Sequence, residues 1–426
     1  MKKHTISMKK IYVALAALLA LPSVSLAQKK GFDYKFYGQV RTDLFYNSRS
    51  NSETVDGLFY MFPLDKSLDP KGEDLNDAAN GSFYTLYSRV GVDVTGPMLG
   101  GKVKTSAKIE ADFRGSGTTF SVFRLRHAYL KLDFPKGHSL LMGQTWHPLY
   151  GDVSPQILNL NMGAPYQPFG RAPQIRYRFS HRHFLLTTAL LWQSQYLSVG
   201  PKDNVVGTTA TQKSQAFIKN GLIPEVYFGL DYKDASFQGG AGVHVSSIAP
   251  RTQSVAQDGK TYKVTERVTG VSAEAHFKYT DRDWYVAGRT VLGTNLSQTS
   301  TIGGYGIRTG LTDEQTGEQQ YAPLRVSSTW LNVAYGGKWR PAVFVGYLKN
   351  LGATHEVSGV LATGANVDQL ATASAELTYN LPNWKFGAEY SFCNAWYGDQ
   401  FDSKHKATDN HSVHNHRLVV TAMFMF

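Results

Sequence analysis

Six arginines carry the clearest side-chain chemistry in this 426-residue chain: Arg41, Arg89, Arg124, Arg126, Arg176 and Arg178. A guanidinium fork offers two parallel donors to a carboxylate or phosphate and stays charged at any physiological pH. Such groups hold and steer anions without making or breaking a bond. Asp43, Asp93, Glu110 and Asp112 fall at matching positions and partly offset them. The alternative, a solvated surface of mixed sign and weak selectivity, therefore stays open.

Other constellations are weaker. His411, His414 and His416 stand beside Asp409 at a spacing that could collect a metal, but on one strand only His414 and His416 share a face. They read as a wet loop end, with no metal. The acidic run Asp65, Asp69, Glu73, Asp74 and Asp77 reads as solvated, although it could meet divalent ions at a lipopolysaccharide surface. Gly303-Gly304-Tyr305-Gly306 has no helix after it to receive a phosphate. No His, Asp and Ser combination has a distinctive local motif, so no catalytic residue and no cofactor are expected. Nucleic-acid binding has no support beyond charge.

Placing the arginines on one surface needs elements with a period of two. Val103, Thr105, Ala107, Ile109, Ala111 and Phe113 alternate with Lys104, Ser106, Lys108, Glu110, Asp112 and Arg114. Val271, Ala273, Ala275, Phe277 and Tyr279 alternate in the same way with Ser272, Glu274, His276 and Lys278. The spacing predicts sixteen strands: 34–47, 82–95, 102–114, 119–134, 139–147, 172–180, 184–196, 222–234, 236–248, 266–280, 284–295, 324–336, 341–352, 368–380, 384–397 and 413–426. One strand resists the alternation, because Arg124 and Arg126 share parity with Ala128, Leu130, Leu132 and Phe134. Either a bulge near His127 flips the register, which is the preferred reading, or the upper part of the strand rises clear of the apolar zone.

Connections after even strands are tight, and those after odd strands are mostly long (48–81, 148–171, 197–221, 249–265, 296–323). Aromatic residues bracket the tight turns: Phe179 and Phe184, Tyr232 and Phe237, Tyr279 and Trp284, Tyr335 and Trp339, Tyr379 and Trp384. A membrane–water interface selects amphipathic rings at one height, whereas a soluble sheet does not. The expected fold is thus all-β, a sixteen-stranded antiparallel transmembrane β-barrel whose width leaves an aqueous channel. Residues 1–27 read as a signal peptide, with Lys2, Lys3, Lys9 and Lys10 before an apolar run and Ser25-Leu26-Ala27 at its end. Its removal leaves 28–426 as the barrel and lowers the net charge from +11 to +7. Lone Cys393 allows no internal disulfide and reads as a small wall residue. Phe426, with Phe424, Ala422, Val420 and Leu418 on one parity, resembles a C-terminal signal for outer-membrane assembly machinery.

The third long loop, about 148–171, is rich in Pro and Gly yet apolar: Leu149, Tyr150, Ile157, Leu158, Leu160, Met162, Tyr166 and Phe169. It is expected to fold into the lumen; packing over the rim or against a neighbouring subunit is the alternative. The expected pore lining is then Arg41, Arg89, Arg124, Arg126, Arg176 and Arg178, together with Trp146, Tyr150 and Asp152, the loop's single carboxylate. In a low-dielectric constriction a cationic wall favours anions.

Phe36-Tyr37-Gly38-Gln39-Val40-Arg41-Thr42-Asp43, Arg124-Leu125-Arg126-His127-Ala128-Tyr129, Gly143-Gln144-Thr145-Trp146, Gly346-Tyr347-Leu348-Lys349-Asn350-Leu351-Gly352 and Gly387-Ala388-Glu389-Tyr390 resemble the DcaP-type porins. The resemblance implies a homotrimer of sixteen-stranded barrels in the outer membrane of a Gram-negative bacterium. Its third loop would constrict the pore, and small organic anions such as dicarboxylates would pass by passive diffusion. Partners would be those solutes, outer-membrane lipid and lipopolysaccharide. Some relatives carry an N-terminal coiled-coil extension, and a stalk function is not carried over, since Gln28 to Asp33 leads directly into the first strand. The rival functions are an outer-membrane barrel enzyme (protease or lipase) and a plugged structural or adhesin barrel.

Overall fold

The computed structural model describes residues 31–55, 57–116 and 119–426, and the signal-peptide reading over 1–27 lies outside the described residues. One continuous antiparallel sheet of nineteen hydrogen-bonded segments dominates. Two of its segments share one wall position and two others form an outer flap, leaving a closed ring of sixteen strands as expected. The strands are β1 (Asp33–Asn47), β2 (Asn80–Tyr84, resuming at Arg89–Leu99), β3 (Val103–Ser116), β4 (Thr119–Asp133) and β5 (His138–Trp146). Next come β6 (Arg171–His181), β7 (Phe184–Leu191), β8 (Glu225–Lys233), β9 (Phe237–Ile248), β10 (Val268–Asp281) and β11 (Trp284–Thr294). The ring is completed by β12 (Gln319–Tyr335), β13 (Trp339–Ala353), β14 (Val367–Asn380), β15 (Trp384–Phe401) and β16 (Ala407–Met425). Each strand pairs with its sequence neighbour, and β1 pairs with β16 from Gln39↔Met425 to Asn47↔Arg417, so the wall has no open edge. A sheet in hydrocarbon needs that closure, because an unpaired N–H or C=O there has no water to turn to.

The wall is inverted relative to a soluble protein. Ile109, Phe113, Val271, Phe277 and Tyr279 are exposed on the outside, while Glu110, Asp112, Ser272 and Glu274 are buried on the inside. A lipid-facing exterior and a polar interior produce this alternation. At the tight-turn end Trp284 meets Tyr335 at 4.7 Å, Trp339 meets Tyr379 at 4.6 Å and Trp384 meets Phe424 at 4.8 Å between ring centroids, making a continuous girdle.

Two departures from the expected strands have local causes. β2 breaks at residues 85–88, where Ser88 turns back to bond Thr85 through both its N–H and its hydroxyl. β12 runs longer than expected because Gly303–Thr312, itself paired with Val357–Thr363, adds a flap beside its outer end, and β15 and β16 because they pair with one another out to Phe401↔Ala407. The long connections also hold small elements: the hairpin Asn51–Thr54 with Phe59–Pro63, and the helix α1 (Ala216–Gly221).

Candidate functional site

The arginine cluster is built around a bulge in β4. Glu110 pairs with His127 but Ala111 pairs with Leu125, so Arg126 is the extra residue and the register flips there, as the preferred sequence reading had it. Leu125 then points outward, and Arg124 and Arg126 both face Asp112. Gln144 on β5 donates its amide to the carbonyls of Leu125 (3.1 Å) and Arg126 (3.3 Å), which the bulge removes from the ladder.

Arg126 is 2% exposed, with Nε 2.5 Å from Glu110 and Nη1 2.7 Å from Asp112. Arg124 engages both oxygens of Asp112 at 2.8–2.9 Å. Arg89 lies 3.8 Å from Glu110. The Tyr87 ring, in the break of β2, is faced by Arg89 at 5.0 Å, Arg126 at 5.3 Å and Arg41 at 5.5 Å. Below it Tyr37 donates to Glu110 at 2.9 Å and accepts from Lys108 at 3.1 Å, and Lys108 also pairs with Asp93 at 3.0 Å. Gly91 is required here, since a Cβ at that position would collide with the Tyr37 ring.

The third loop faces this cluster. Trp146 stacks on Tyr150 with centroids 4.1 Å apart, and the Arg171 guanidinium lies 3.9 Å over the Trp146 ring. From there the loop meets inward side chains of strand after strand. Arg289 of β11 donates to the carbonyls of Tyr150 and Val153 at 3.1 and 3.2 Å, and the Tyr285 hydroxyl donates to that of Ser154 at 2.6 Å. Gln156 N–H reaches Asn332 of β12 at 2.8 Å, and the Leu158 and Asn159 N–H groups reach Glu376 and Glu389 at 2.6 and 2.8 Å. Tyr166 joins Thr372 at 2.7 Å, and the Trp330 indole donates to Gln167 at 2.6 Å. Tyr150, Val153, Tyr166 and Phe169 are buried in a cluster with Trp330, Phe344, Leu348, Leu370 and Cys393, which accounts for the loop's apolar composition. A cleft of about 470 Å³ separates loop from wall, with Tyr87, Arg89, Lys108, Arg126 and Tyr129 on one side and Tyr150, Gly151, Ser154 and Met162 on the other.

The remaining sequence-predicted residues divide. Arg41 is buried, bound to Asp43 at 2.8 Å and to the Leu158 carbonyl at 2.6 Å. Arg176 is buried between Gln174 and the Trp146 carbonyl. Arg178 is half-buried and pairs with Asp152 at 3.1 Å, while Lys278 donates to the Asp152 carbonyl at 3.3 Å. Burial acts to raise the Asp152 carboxyl, but Arg178 and Arg176 beside it outweigh this and hold it below the usual carboxylate range. Arg41, Arg126 and Arg176 thus face inward with most of their donors spent on protein, whereas Arg89, Arg124 and Arg178 keep part of their surface open.

Sequence reasoning missed Tyr87, Lys108, Arg171 and Arg289 as parts of this site. Lys108 carried the inward parity and could have been found. Tyr87 shares the parity of Arg89 and Asp93 in the expected strand 82–95 and could have been found as well. The first loop was missed as well: its 51–63 hairpin lies against β15 and β16, with Tyr60 below Arg417 at 5.3 Å and the Tyr397 hydroxyl donating to the Pro63 carbonyl at 2.7 Å. His414 and His416 share the outer face of β16 beside Phe392 and Tyr390, and His411 sits between Asp65 and Asp399 at 2.7 Å each.

One other group could be read as metal ligands, His147, Glu225 and His244, whose ligand atoms lie within 4.8 Å of one another. Its hydrogen bonding argues otherwise. Glu225 accepts His147 and His244 on one oxygen, at 3.3 and 2.9 Å, and Gln193 and Gln298 on the other, at 2.7 and 3.1 Å. His147 Nδ1 accepts the Leu149 N–H at 3.1 Å, so its proton sits on Nε2, the atom a metal would need. The Glu225 carboxylate is saturated and ties the base of the third loop to β8, β9 and two further loops, while His244 Nδ1 has no hydrogen-bond partner among the described residues.

A closed ring of sixteen strands, apolar outside and polar inside, with a loop running over its inner wall, defines a membrane-spanning β-barrel with the architecture of the porins. Residues 23–188, less than half of the chain, match the family model of the DcaP outer membrane protein, in agreement with the resemblance carried by the first-strand and 124–146 motifs. The outer membrane channel DcaP of Acinetobacter baumannii is 16% identical, with a TM-score of 0.64 over 93% of this chain and 98% of that one. The trimer form of OmpT of Vibrio cholerae (13% identity, TM-score 0.52, 93% and 100%) shares the fold. So does an anion-selective porin from Comamonas acidovorans (11% identity, TM-score 0.52, 93% and 100%). No curated protein matches the chain.

Proposed function

We propose that the chain is a passive channel for small hydrophilic anions, of which dicarboxylates are the favoured class, and that residues 148–171 form its constriction. The carrying observation is the cleft between that loop and the arginine cluster. Arg89, Lys108 and Arg126 line it against Glu110, and Arg41, Arg124, Arg171, Arg176 and Arg178 belong to the connected network with Asp43, Asp112 and Asp152. Arg171 adds spare capacity, since its buried Nε and Nη2 have no hydrogen-bond partner among the described residues. Cationic groups in a restricted, protein-lined passage attract anions and repel cations. A diffusive pathway needs no bond chemistry, so no catalytic residue is assigned. We place the chain in the membrane as a homotrimer, by likeness to the trimer form of OmpT, with lipopolysaccharide around its outer face.

Single-channel recording in a salt gradient tests this. Anion-selective reversal potentials are expected, moving toward zero when Arg89 and Arg124 are both replaced by serine. Cation preference in the unaltered protein would sink the anion reading. Absence of conductance would favour a plugged barrel, and hydrolysis of added peptide or lipid would favour an enzyme.

A further inference from the structure

Tyr87 and Arg126 line a second, smaller space besides the cleft, a cavity of about 20 Å³ walled otherwise by the first loop, the third loop and the segment after β7. Room of that size holds one water-sized occupant. Phe59 of the first loop, Phe169 of the third and Tyr196 close one side of it, with ring centroids 5.2–6.4 Å apart. Arg124, Arg126, Tyr87 and Gln195 give the other side its polar character.

The polar groups gathered here are donors, or acceptors already engaged. Asp112 is taken by Arg124 and Arg126 at 2.8 and 2.7 Å. The Gln195 side-chain oxygen accepts the Arg171 backbone N–H at 3.0 Å and the Arg171 Nη1 at 3.1 Å. Gln195 Nε2 is buried with no hydrogen-bond partner among the described residues. The Tyr87 hydroxyl accepts from Arg126 at 3.4 Å, which leaves its own proton to be donated. Arg171 stands behind Gln195, 3% exposed, and its Nε and Nη2 are two further buried donors without a partner among the described residues.

Charge points the same way. Arg124, Arg126 and Arg171 stand against Asp112 and Glu110, and Glu110 is shared with Arg89. A buried cation with unmet donors is costly until something anionic meets it. Water is a poor occupant, because it brings two hydrogens to a space whose acceptors are engaged. A halide brings lone pairs alone. A carboxylate with its carbon chain exceeds the room available.

We infer that this cavity is a resident halide site, in which Gln195 Nε2, Arg124 and Arg171 hold one chloride between the first loop, the third loop and the wall. The ion is a fixed part of the fold that clamps both loops, not one in transit. The inference goes beyond conduction and does not rest on it.

Two measurements on the full chain in detergent decide it, and neither reads current. Crystals grown in sodium bromide should show an anomalous-scattering peak in the cavity beside Gln195. A cavity that is empty or holds water under those conditions overturns the site. Equilibrium urea unfolding, followed by heat-modifiable migration, reads the binding in solution. Ionic strength is held constant with gluconate, which is too large for the cavity. The unfolding constant should then fall about tenfold for each tenfold rise in chloride above its dissociation constant. The variant Q195E supplies a tethered carboxylate in place of the unmet amide, so it should lose both the bromide peak and the chloride dependence. Arg171→Met should lose the chloride dependence as well, which keeps the test open if Q195E fails to fold. A wild type indifferent to chloride, or a folded variant that keeps the wild-type dependence, overturns the inference.

Discussion

Arg126 sits where two strand registers disagree, and its surroundings follow from that. The bulge turns an otherwise outward arginine inward, and burial there is tolerable only because Glu110 and Asp112 both accept from it. Arg126→Ala should leave Asp112 with Arg124 and Glu110 with the Tyr37 hydroxyl and a distant Arg89, so the cost is that of the lost charge-assisted bonds, about 1.5–3 kcal/mol. Urea unfolding of the barrel in detergent, followed by loss of heat-modifiable migration, measures it. Asp152 gives a second prediction at this scale. Its carboxyl lies below the usual carboxylate range, so its pairing with Arg178 is present above the unfolded value near 4 and is lost only as pH falls through the lowered folded value. As far as Asp152 sets it, anion preference should hold steady from pH 7 to about pH 4 and rise only below that. Asp152→Asn should raise the anion-to-cation permeability ratio about twofold at neutral pH, as one partly exposed charge is worth well under 1 kcal/mol. An unchanged reversal potential in that variant would place the selectivity elsewhere.

Among the elements, the two inward loops are held by different chemistry. The third loop is anchored at its base by the saturated Glu225 hub and along its length by hydrogen bonds to inward side chains. Glu225→Gln removes the buried charge that His147, His244, Gln193 and Gln298 converge on. It should loosen the loop base by about 1–3 kcal/mol. Protease nicking within 147–170 should then appear while the barrel stays intact. The first loop is clasped at the outer end of β16, beyond the 9–11 residues that a tilted strand needs to span the bilayer. Burial acts to lower His411 there, but Asp65 and Asp399 bond both ring nitrogens and leave its folded value raised. A raised histidine contributes fully below the unfolded value near 6.5, and the contribution fades as pH rises through the folded value. Cleavage of loop 1 should therefore be slower at pH 6 than at pH 9, and His411→Ala should abolish the difference.

At the scale of the whole molecule, the barrel and the grouping of tight turns at one end and long loops at the other were legible in sequence. Alternation is a property of each strand read against its two environments, lipid and lumen, so neighbouring residues suffice to reveal it. The aromatic girdle is equally local, because each turn carries its own pair of rings. The strand count and tight-turn positions followed, and so did the bulge in β4, since a parity conflict is visible in one strand alone. Less of the candidate site could be read. The six arginines were identified with inward parity, but not that Arg41, Arg126 and Arg176 spend most of their donors on protein. Those partners lie on other strands or in the loop, and parity says nothing about them.

The chain by itself determined a closed membrane barrel, the end at which each loop emerges and an arginine-rich inner wall, because these depend on periodicity and on the chemistry of short segments. Only the tertiary structure decided how the wall is used. It set three arginines from three strands around Tyr87, brought the 51–63 hairpin against β15 and β16, and set Glu376 and Glu389 under one peptide unit of the third loop. Each of these joins residues far apart in sequence. Such contacts are selected by the need to satisfy buried backbone groups inside a particular lumen, a condition that arises only once the ring has closed.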